Sequence, residues 1–513
     1  MCGIAAILNT KDSDESLINS MLDKIKHRGD TQPNYEKMGN NFLGNVRLKI
    51  VDIDNGKQPF YNEDKSIGIV FNGEIYNYKE LRTDLIEKGY KFNTDCDTEV
   101  LPYLYEEYGV KFLSMLDGMF AFLLIDLKSN SHFFARDRFG IKPLYYCLNK
   151  ETIFISSELK SFEKIHTAIY EELPPACYYY DGEIKKYNIL NYDIDYSIAY
   201  NEAVESIKSL LVSAVKKRVQ TDLPIGIFLS GGIDSSIVFY LAKQFHKNII
   251  PIIVGKENSE DFIAASKLCT YFGVEYVHIN PSEQEILDTI PEIVECIETF
   301  EPNPVRGSAV TYFLANKAKE LGLKIVLCGE GSDEVFGGYG DFFKVQNDLE
   351  FQNLSKNLIE DLHRTQLLRI DRVGMWFSVE VREPFMDNAL IDFALKLSPK
   401  YKTDYLKKNT LTKIILREAF KKELPEFILN RVKKTLMEGA GANSVEVGKG
   451  MFFNNAVNTI TKEQLIKVVE ENKEYNLRNE EEILYYCYFQ KFYSKFLKAQ
   501  NRTFNAKNEL RAN

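Results

Sequence analysis

The second residue of the chain is a cysteine, and a cysteine at this position can do chemistry that an internal one cannot. Cys2 is followed by Gly3 and Ile4. A small residue at position 2 usually permits removal of Met1, which would leave Cys2 with both a thiol and an α-amine. An α-amine titrates near ~8, so it can act as a base for its own side chain at neutral pH. The pattern predicts an N-terminal nucleophile, and an incidental or lipid-modified cysteine is the alternative.

A glycine-rich loop in the second half of the chain has the composition of a phosphate-binding loop. Residues 229–236 read Leu-Ser-Gly-Gly-Ile-Asp-Ser-Ser and lie between a predicted strand and a predicted helix. Glycines let the backbone approach a phosphate, and a helix N-terminus offers N–H groups and a favourable dipole. This is not a Walker A loop, because no Lys-Ser/Thr pair follows the glycines in the required place, and a simple hairpin or bulge is the alternative.

A second glycine-rich loop, at residues 327–339, carries the acidic residues Glu330, Asp333 and Glu334. Carboxylates beside a phosphate loop would repel the ligand, and a bridging Mg²⁺ ion resolves that repulsion. The pair of loops therefore predicts a nucleotide and metal site. A charged loop that only faces solvent is the alternative.

The elements that must position Cys2 are predicted to be β-rich over residues 1–190. Short apolar or aromatic runs predict strands at 67–71, 120–125, 132–135 and 153–156. Asp181 and Gly182 predict a tight hairpin turn, because both residues tolerate positive φ. Helical periodicity predicts helices over 16–25 and 97–108. Many strands with a few helices favour an antiparallel α+β layer structure.

The pattern changes near residue 191, where strands and helices begin to alternate. An amphipathic helix is predicted over 201–219, and a helix over 261–272 should end at Gly273. The predicted strands lie at 225–229, 249–254, 275–279 and 324–328. Alternating βα units predict a parallel sheet with its ligands at the carboxyl ends of the strands. Beyond residue 345 the chain is predicted to be mostly helical.

Composition excludes several classes of protein. The chain has 513 residues, a net charge of −10 and 45% apolar residues, which argues for two to four folded domains and against disorder. The acidic balance argues against nucleic-acid partners, and no apolar run approaches the ~18 residues of a membrane span. The eight cysteines form no Cys-x-x-Cys pair, and no secretory signal is recognisable. We therefore expect a cytoplasmic protein without membrane partners.

Several motifs of the first half occur in a fixed order. They stand at 27–29 (His-Arg-Gly), 47–52, 71–77 (Phe-Asn-Gly-Glu-Ile-Tyr-Asn), 97–99, 117–121 and 136–145. Together with Cys2 they resemble the glutaminase domain of class II glutamine amidotransferases. The resemblance implies an N-terminal-nucleophile hydrolase fold, an αββα sandwich, over residues 1–190.

The resemblance also implies roles for individual residues. Cys2 would form the γ-glutamyl thioester, and the Asn72 side chain with the Gly73 N–H would hold the oxyanion, at ~3–4 kcal/mol for each donor. The implied glutamine site comprises Arg47 for the carboxylate, Glu74 and Asp97 for the ammonium group, and Ile50, Val51, Asn72 and Gly73 around them. Asp30 and Lys49 depart from the usual pattern of the surrounding loops.

The Ser-Gly-Gly-x-Asp-Ser loop resembles the pyrophosphate loop of adenylating synthetases related to the N-type ATP pyrophosphatases. With the motifs at 327–339, 379–387 and 431–434, the whole chain resembles the glutamine-hydrolysing asparagine synthetases. The resemblance implies that residues 191–513 form an α/β ATP-pyrophosphatase-like domain with a helical C-terminal part. It implies ATP as a substrate, with Mg²⁺.

The implied ATP site comprises Leu229, Val254, Cys328 and Gly329 around adenine and ribose, and Ser230, Gly231, Gly232, Asp234 and Ser235 around pyrophosphate. Asp234 and Asp333 are the implied Mg²⁺ ligands. Glu330 would lie near the aspartyl carbonyl and the incoming ammonia, as a binder or general base. Lys433 would stabilise the charge that develops on the α-phosphate.

The acceptor loop at residues 301–308 departs from the family pattern Asp-Val-Thr-Thr-Ile-Arg-Ala-Ser, of which it keeps Arg306 and Ser308. These two residues and Glu330 are the implied acceptor-binding residues. The departure leaves open a synthetase that acts on another carboxylic acid.

The resemblance thus implies an enzyme that makes asparagine, AMP and pyrophosphate from glutamine, aspartate and ATP, with a homodimer left open. Amidotransferases for sugar phosphates or phosphoribosyl donors lack the second-half loop, and a β-lactam-forming synthetase would not need Cys2, Arg47, Asn72 and Asp97. A catalytically inactive regulatory protein is the alternative from another class. The intact nucleophile and both phosphate-loop motifs argue against it.

Overall fold

The computed structural model describes residues 1–10, 14–165, 170–406, 411–432, 434, 450–494 and 496. The chain divides into two compact units. The first contains the described residues of Met1–Leu190 together with Met375–Glu380, and the second those of Asn191–Gly374 and Val381–Ser494.

The first unit is built from antiparallel strands. They are β1 Cys2–Leu8, β2 Asn34–Met38, β3 Asn41–Arg47, β4 Phe60–Tyr61, β5 Ile67–Ile75, β6 Gly118–Asp126, β7 Ser131–Arg136, β8 Tyr145–Asn149, β9 Thr152–Ser156, β10 Tyr170–Glu172, β11 Cys177–Tyr180 and β12 Glu183–Lys186. They form two six-stranded sheets, ordered β10-β8-β9-β1-β3-β2 and β12-β11-β7-β6-β5-β4. The helices are α1 Glu15–Lys24, α2 Tyr78–Glu87 and α3 Val100–Tyr108.

Alternation along the strands explains the layering of this unit. In β6, Ala121, Leu123 and Ile125 pack into a core that also contains side chains of the other sheet. The intervening Phe120, Phe122 and Leu124 pack with side chains of α2 and α3 instead. Because successive side chains of a strand point to opposite faces, one sheet can serve two cores. Helix α1 packs against β1 and β3 on the other sheet, so the predicted αββα sandwich is confirmed.

The turns and helices predicted for this unit agree closely with the observed elements. The predicted hairpin turn is confirmed, with φ of +48° at Asp181 and +89° at Gly182. The helix predicted over 97–108 begins instead as a 3₁₀ turn, Asp97–Glu99, and continues as α3.

The second unit contains a five-stranded sheet, ordered β15-β14-β13-β16-β17. Its strands are β13 Ile225–Phe228, β14 Ile249–Val254, β15 Val277–Ile279, β16 Ile325–Leu327 and β17 Glu380–Arg382. The pairs β13–β14, β13–β16 and β14–β15 are parallel, as the alternating pattern predicts.

The rest of the second unit is mainly helical. They are α4 Tyr200–Arg218, α5 Ile233–Phe245, α6 Glu260–Phe272, α7 Glu283–Asp288, α8 Ile290–Ile297, α9 Pro302–Glu320, α10 Ser332–Phe336, α11 Asp348–Asp361, α12 Gln366–Trp376, α13 Asn388–Lys396, α14 Pro399–Lys402, α15 Ile414–Ala419, α16 Glu426–Leu429, α17 Met451–Thr459, α18 Lys462–Glu471 and α19 Glu480–Tyr493. Helix α6 ends at Gly273 with φ +64°, the predicted left-handed cap. No helix in the described parts of the chain combines the length and apolarity needed to cross a membrane.

Short 3₁₀ helices complete the secondary structure. They lie at Lys26–Arg28, Asp97–Glu99, Gly109–Met115, Leu159–Phe162, Gly340–Phe343, Leu362–Arg364, Pro384–Met386 and Lys473–Tyr475.

Candidate active sites

The thiol of Cys2 lies in a buried environment at the start of β1. The β1–β3 register places Cys2 opposite Arg47, the last residue of β3. Burial raises the pKa of the thiol, whereas the N-terminal ammonium group and Arg47 lower it. Two paired strands thus place a buried cysteine opposite an arginine.

Asn72 and Gly73, in the middle of β5, lie next to Cys2. The Cys2 N–H donates to Asn72 Oδ1 at 3.1 Å. Asn72 is fully buried, and its Nδ2 has no hydrogen-bond partner among the described residues. At Gly73 a Cβ would lie 2.1 Å from the Met119 carbonyl oxygen, so only glycine fits there. A buried donor without a partner lowers the stability of the fold, so such a donor is expected where a ligand oxygen accepts its hydrogen bond.

Gln58 is a residue of this site that the sequence analysis missed. Its Nε2 lies 3.6 Å from Cys2 Sγ and donates to the Phe71 carbonyl at 3.0 Å, while its Oε1 accepts from the Phe71 N–H at 2.7 Å. No local pattern marks this glutamine, because its contacts depend on how residue 58 packs against β5.

The charged residues predicted to bind glutamine surround the same strands. Asp97 is buried and its Oδ2 accepts from the Ile75 N–H at 2.9 Å. Burial raises the pKa of Asp97, and hydrogen bonding to Ile75 partly offsets this. Glu74, on β5, is also buried.

Arg47 is held by the loop that follows it. Its guanidinium donates to the carbonyls of Val51 at 2.8 Å, Asp52 at 2.6 Å and Ile53 at 3.1 Å. Ile50 is buried in the same loop. The structure therefore groups Cys2, Asn72 and Arg47 with the 50–53 loop, and their roles toward glutamine stay predictions.

The second site lies where β13 and β16 end. The adjacent, parallel β13 and β16 run into the 229–232 and 328–331 loops, which lead into α5 and α10. A cavity opens there. Its walls include most of the predicted residues: Leu229, Ser230, Gly232, Asp234, Ser235, Val254, Cys328, Gly329, Glu330 and Asp333.

Gly231 is absent from these walls and has a structural role. It has φ +68°, and a Cβ there would lie 2.6 Å from the Ala265 nitrogen. Glycine is therefore needed where the loop passes α6.

The two predicted metal ligands lie at one point of the cavity. The Lys413 ammonium contacts Asp234 Oδ2 at 2.5 Å and Asp333 Oδ1 at 2.6 Å. Ser332 donates to the other oxygen of Asp234 at 2.7 Å. Lys413, which the sequence analysis did not single out, thus shows that one cation can contact both carboxylates.

Glu330 meets an arginine at another part of the wall. Arg369 Nη2 donates to Glu330 Oε1 at 2.7 Å, and Arg369 Nη1 donates to Thr311 Oγ1 at 2.8 Å. Nearby Glu334 is buried, and burial together with Asp333 raises its pKa to about 7.

The two predicted acceptor residues of α9 do not line this cavity. Arg306 is 4% exposed and its guanidinium pairs with both carboxylate oxygens of Glu481 on α19, the Nε contact being 2.6 Å. Ser308 is fully buried, and its Oγ has no partner among the described residues. Their acceptor role stays a prediction, and Lys433 lies outside the described residues.

Comparisons with known proteins divide the chain in the same way. A glutamine amidotransferase domain model matches residues 1–178, and an asparagine synthase model matches 206–358 and 344–509. Asparagine synthetase [glutamine-hydrolyzing] 1 of Arabidopsis thaliana is 36% identical over 473 residues, which cover 87% of this chain and 79% of the relative. Asparagine synthetase [glutamine-hydrolyzing] 2 of Lotus japonicus is 33% identical over 519 residues, 96% of this chain and 86% of that one.

Among solved structures, glutamine phosphoribosylpyrophosphate amidotransferase from B. subtilis matches with a TM-score of 0.33 and 19% identity, over 55% of this chain and 69% of that chain. A similarity of this size supports no argument about the site.

Proposed function

The chain belongs to the family of glutamine-hydrolysing asparagine synthetases and makes asparagine with glutamine as nitrogen donor, and we propose that two separate sites share this reaction. Glutamine is hydrolysed at Cys2, within a domain of residues 1–190. Aspartate is activated with ATP in the cavity of the second domain, residues 191–513. The observation that carries the proposal is the buried Asn72 amide, which contacts Cys2 and keeps Nδ2 unpartnered.

At the first site, the Cys2 thiolate attacks the amide carbon of glutamine. The carbonyl oxygen becomes an oxyanion that Asn72 Nδ2 and the Gly73 N–H stabilise. Ammonia leaves as the thioester forms, and water then releases glutamate. The ammonium group of Met1 pairs with Glu380 at 2.7 Å. Hydrolysis of the bond between Met1 and Cys2 releases methionine and leaves Cys2 with its own α-amine, which serves as the base.

At the second site, the β-carboxylate of aspartate attacks the α-phosphorus of ATP, and pyrophosphate leaves. Ammonia then attacks the β-aspartyl carbonyl of the adenylate, and AMP leaves as asparagine forms. The backbone N–H groups at the start of α5 are suited to the leaving pyrophosphate. Glu330 is proposed to bind the acceptor or accept the proton of ammonia, and Lys433 to stabilise the charge on the α-phosphate.

Asp234 and Asp333 are a donor set that fits Mg²⁺. Each contributes a carboxylate oxygen within 2.6 Å of one point, the Lys413 nitrogen. Mg²⁺ is commonly bound by one or two carboxylates together with substrate phosphates. When bound, the ion would offset phosphate charge and favour release of pyrophosphate.

Transfer of the amide nitrogen tests this function. Enzyme with ATP, Mg²⁺, aspartate and glutamine labelled with ¹⁵N in its amide should yield asparagine labelled in its amide, with one AMP for each asparagine. Labelled ammonia with no labelled asparagine would contradict the proposal. The curated relatives favour aspartate over another acceptor acid.

A further inference from the structure

Aspartate brings a second carboxylate into the cavity, and this group needs a cation. The β-carboxylate reacts with ATP, while the α-carboxylate remains charged throughout the reaction. An Arg fork meets a carboxylate with two parallel hydrogen bonds, which gives both affinity and geometric selectivity. The search for the acceptor clamp is therefore a search for a suitable arginine in the cavity wall.

Five cations among the described residues line the cavity: Arg369, Lys413, Arg417, Arg431 and Lys434. Lys413 is held between Asp234 and Asp333. Lys434 pairs with Glu260 at 2.6 Å.

Arg417 and Arg431 are committed to backbone carbonyls. Arg417 donates to the carbonyls of Thr412 at 2.7 Å, Leu429, and Arg431 at 2.9 Å. Arg431 donates to the Ser230 carbonyl at 3.0 Å and to Asp261. Both guanidinium groups therefore brace the loops near the phosphate site.

Arg369 differs from the other four in lying beside Glu330, the predicted acceptor residue of the wall. Its Nη2 donates to Glu330 and its Nη1 to Thr311, and its buried Nε has no partner among the described residues. Glu330 Oε2 accepts no hydrogen bond from a described residue, and its side chain is 25% exposed. An amino acid with an ammonium and a carboxylate group suits such a pair of opposite charges.

A glycine on α9 lets Arg369 take this position. A Cβ at residue 307 would lie 2.9 Å from Arg369 Cδ and 3.1 Å from its Nε. The family pattern has alanine at this position, and here it is Gly307. The departure in the acceptor loop thus accompanies a close approach of Arg369 to α9.

We propose that Arg369, and not Arg306, binds the α-carboxylate of aspartate and thereby determines which acceptor the enzyme accepts. The inference rests on the function proposed above. Arg306 is unsuited to the task because it does not line the cavity and its fork is buried against Glu481. Releasing Arg306 would leave the carboxylate of Glu481 buried without its partner, which is costly.

Two aspartate analogues test the proposal, because each lacks one charged group. Succinate keeps both carboxylates and lacks the ammonium group, whereas β-alanine lacks the α-carboxylate. We measure aspartate-dependent ATP–pyrophosphate exchange in the full-length enzyme, with both analogues as competitive inhibitors. For R369Q we expect the aspartate KM and the succinate Ki to rise about tenfold or more. The β-alanine Ki and the ATP KM should stay within about twofold.

Two further variants separate recognition from folding. R369K keeps the charge but loses the fork, so it should show an intermediate loss with the same selectivity between the analogues. R218Q removes a buried arginine that pairs with Asp387 at 3.0 Å away from the cavity wall. It should lower the melting temperature without changing the ratio of the two Ki values.

An unchanged aspartate KM in R369Q, or an equal loss for succinate and β-alanine, would overturn the proposal. The same holds if R306Q, and not R369Q, loses succinate selectively. A wild-type enzyme without aspartate-dependent exchange would instead contradict the proposed function itself, so the two failures are distinguishable.

Discussion

Cys2 acquires its reactivity from neighbours that are distant in sequence. Asn72 receives the hydrogen bond of its N–H, and Gln58 approaches its sulfur to 3.6 Å. Burial raises the thiol pKa, so neighbouring charges and the α-amine must supply the thiolate. The nucleophile and its supporting groups thus form a unit that a single substitution can disable.

Replacing Cys2 by Ala should abolish glutamine hydrolysis, with a loss on the order of 10⁴-fold or more, because the nucleophile is gone. Asparagine synthesis from ammonia should continue, since it needs no thioester. The measurement is glutamate release and, separately, asparagine formation with ammonium chloride. Mass spectrometry of active protein should find Met1 absent, and full glutaminase activity with Met1 retained would contradict the role of the α-amine.

Asp97 should make glutamine binding sensitive to pH. It is proposed to bind the substrate ammonium group as a carboxylate, and burial holds its pKa above the usual value. An ordinary Asp side chain has a pKa near ~4, and protonation of Asp97 therefore begins at a higher pH than that of an ordinary Asp. The glutamine KM should rise as the pH falls, because the protonated side chain no longer carries the charge that binds the ammonium group. D97N should have a high KM at every pH, and this pH dependence of KM should be lost.

Ammonia-dependent synthesis serves as the control for D97N and should change little. If D97N instead impairs ATP use and leaves glutamine KM unchanged, Asp97 belongs to another function. Arg47→Gln should likewise raise chiefly the glutamine KM.

At the scale of elements, local sequence signals correctly predicted a hairpin turn and a helix cap. The 181–182 turn and the Gly273 cap follow from residue types that accept positive φ. Long-range pairs carry no such signal: Lys413 reaches Asp234 across 179 residues of sequence. Arg306 matches a family motif, yet its partner Glu481 comes from α19, which motif reading cannot foresee.

Helix α14 contains a lysine that should cost stability. Lys402 is fully buried, its Nζ has no hydrogen-bond partner among the described residues, and burial lowers its pKa to about 7. In the unfolded chain a lysine titrates near ~10.4, so between these two values the unfolded state binds more protons. Stability should therefore rise as the pH increases from about 7 toward 10.

K402M should remove this rise and increase the melting temperature, most strongly at pH 7 and below, because no ammonium must be buried. Thermal unfolding between pH 6 and ~9.5 measures it. K400M, at an exposed position of the same helix, is the matched control and should leave the slope intact. Identical slopes for K402M and wild type would show that Lys402 does not titrate between the two states.

At the scale of the whole molecule, the sequence predicted both fold classes because the periodicity of apolar residues differs between the two halves of the chain. The antiparallel sheets came from alternation, and the parallel sheet from repeated βα units. The contact between Arg369 and Glu330 was beyond prediction, because the two residues meet only through the packing of α12 near the end of β16. Contiguous motifs therefore indicate candidate chemistry, whereas contacts between residues distant in sequence become visible only in the structure.

The two carboxylates that meet Lys413 give the test that separates the activities. D234N and D333N should each block formation of AMP and pyrophosphate with either nitrogen source, by about a thousandfold, because a charge clamp acts on the transition state. Glutamine hydrolysis at Cys2 should continue, since it uses neither phosphate nor metal. D341N replaces an exposed residue that pairs with Lys344; it is the control and should leave synthesis unchanged.

The nucleotide product shows which intermediate the second site forms. Formation of ADP and phosphate would mean that the enzyme makes an acyl-phosphate, and it would contradict the assignment of an adenylation site. Formation of AMP with a different acid, and none with aspartate, would contradict only the assignment of aspartate as the acceptor.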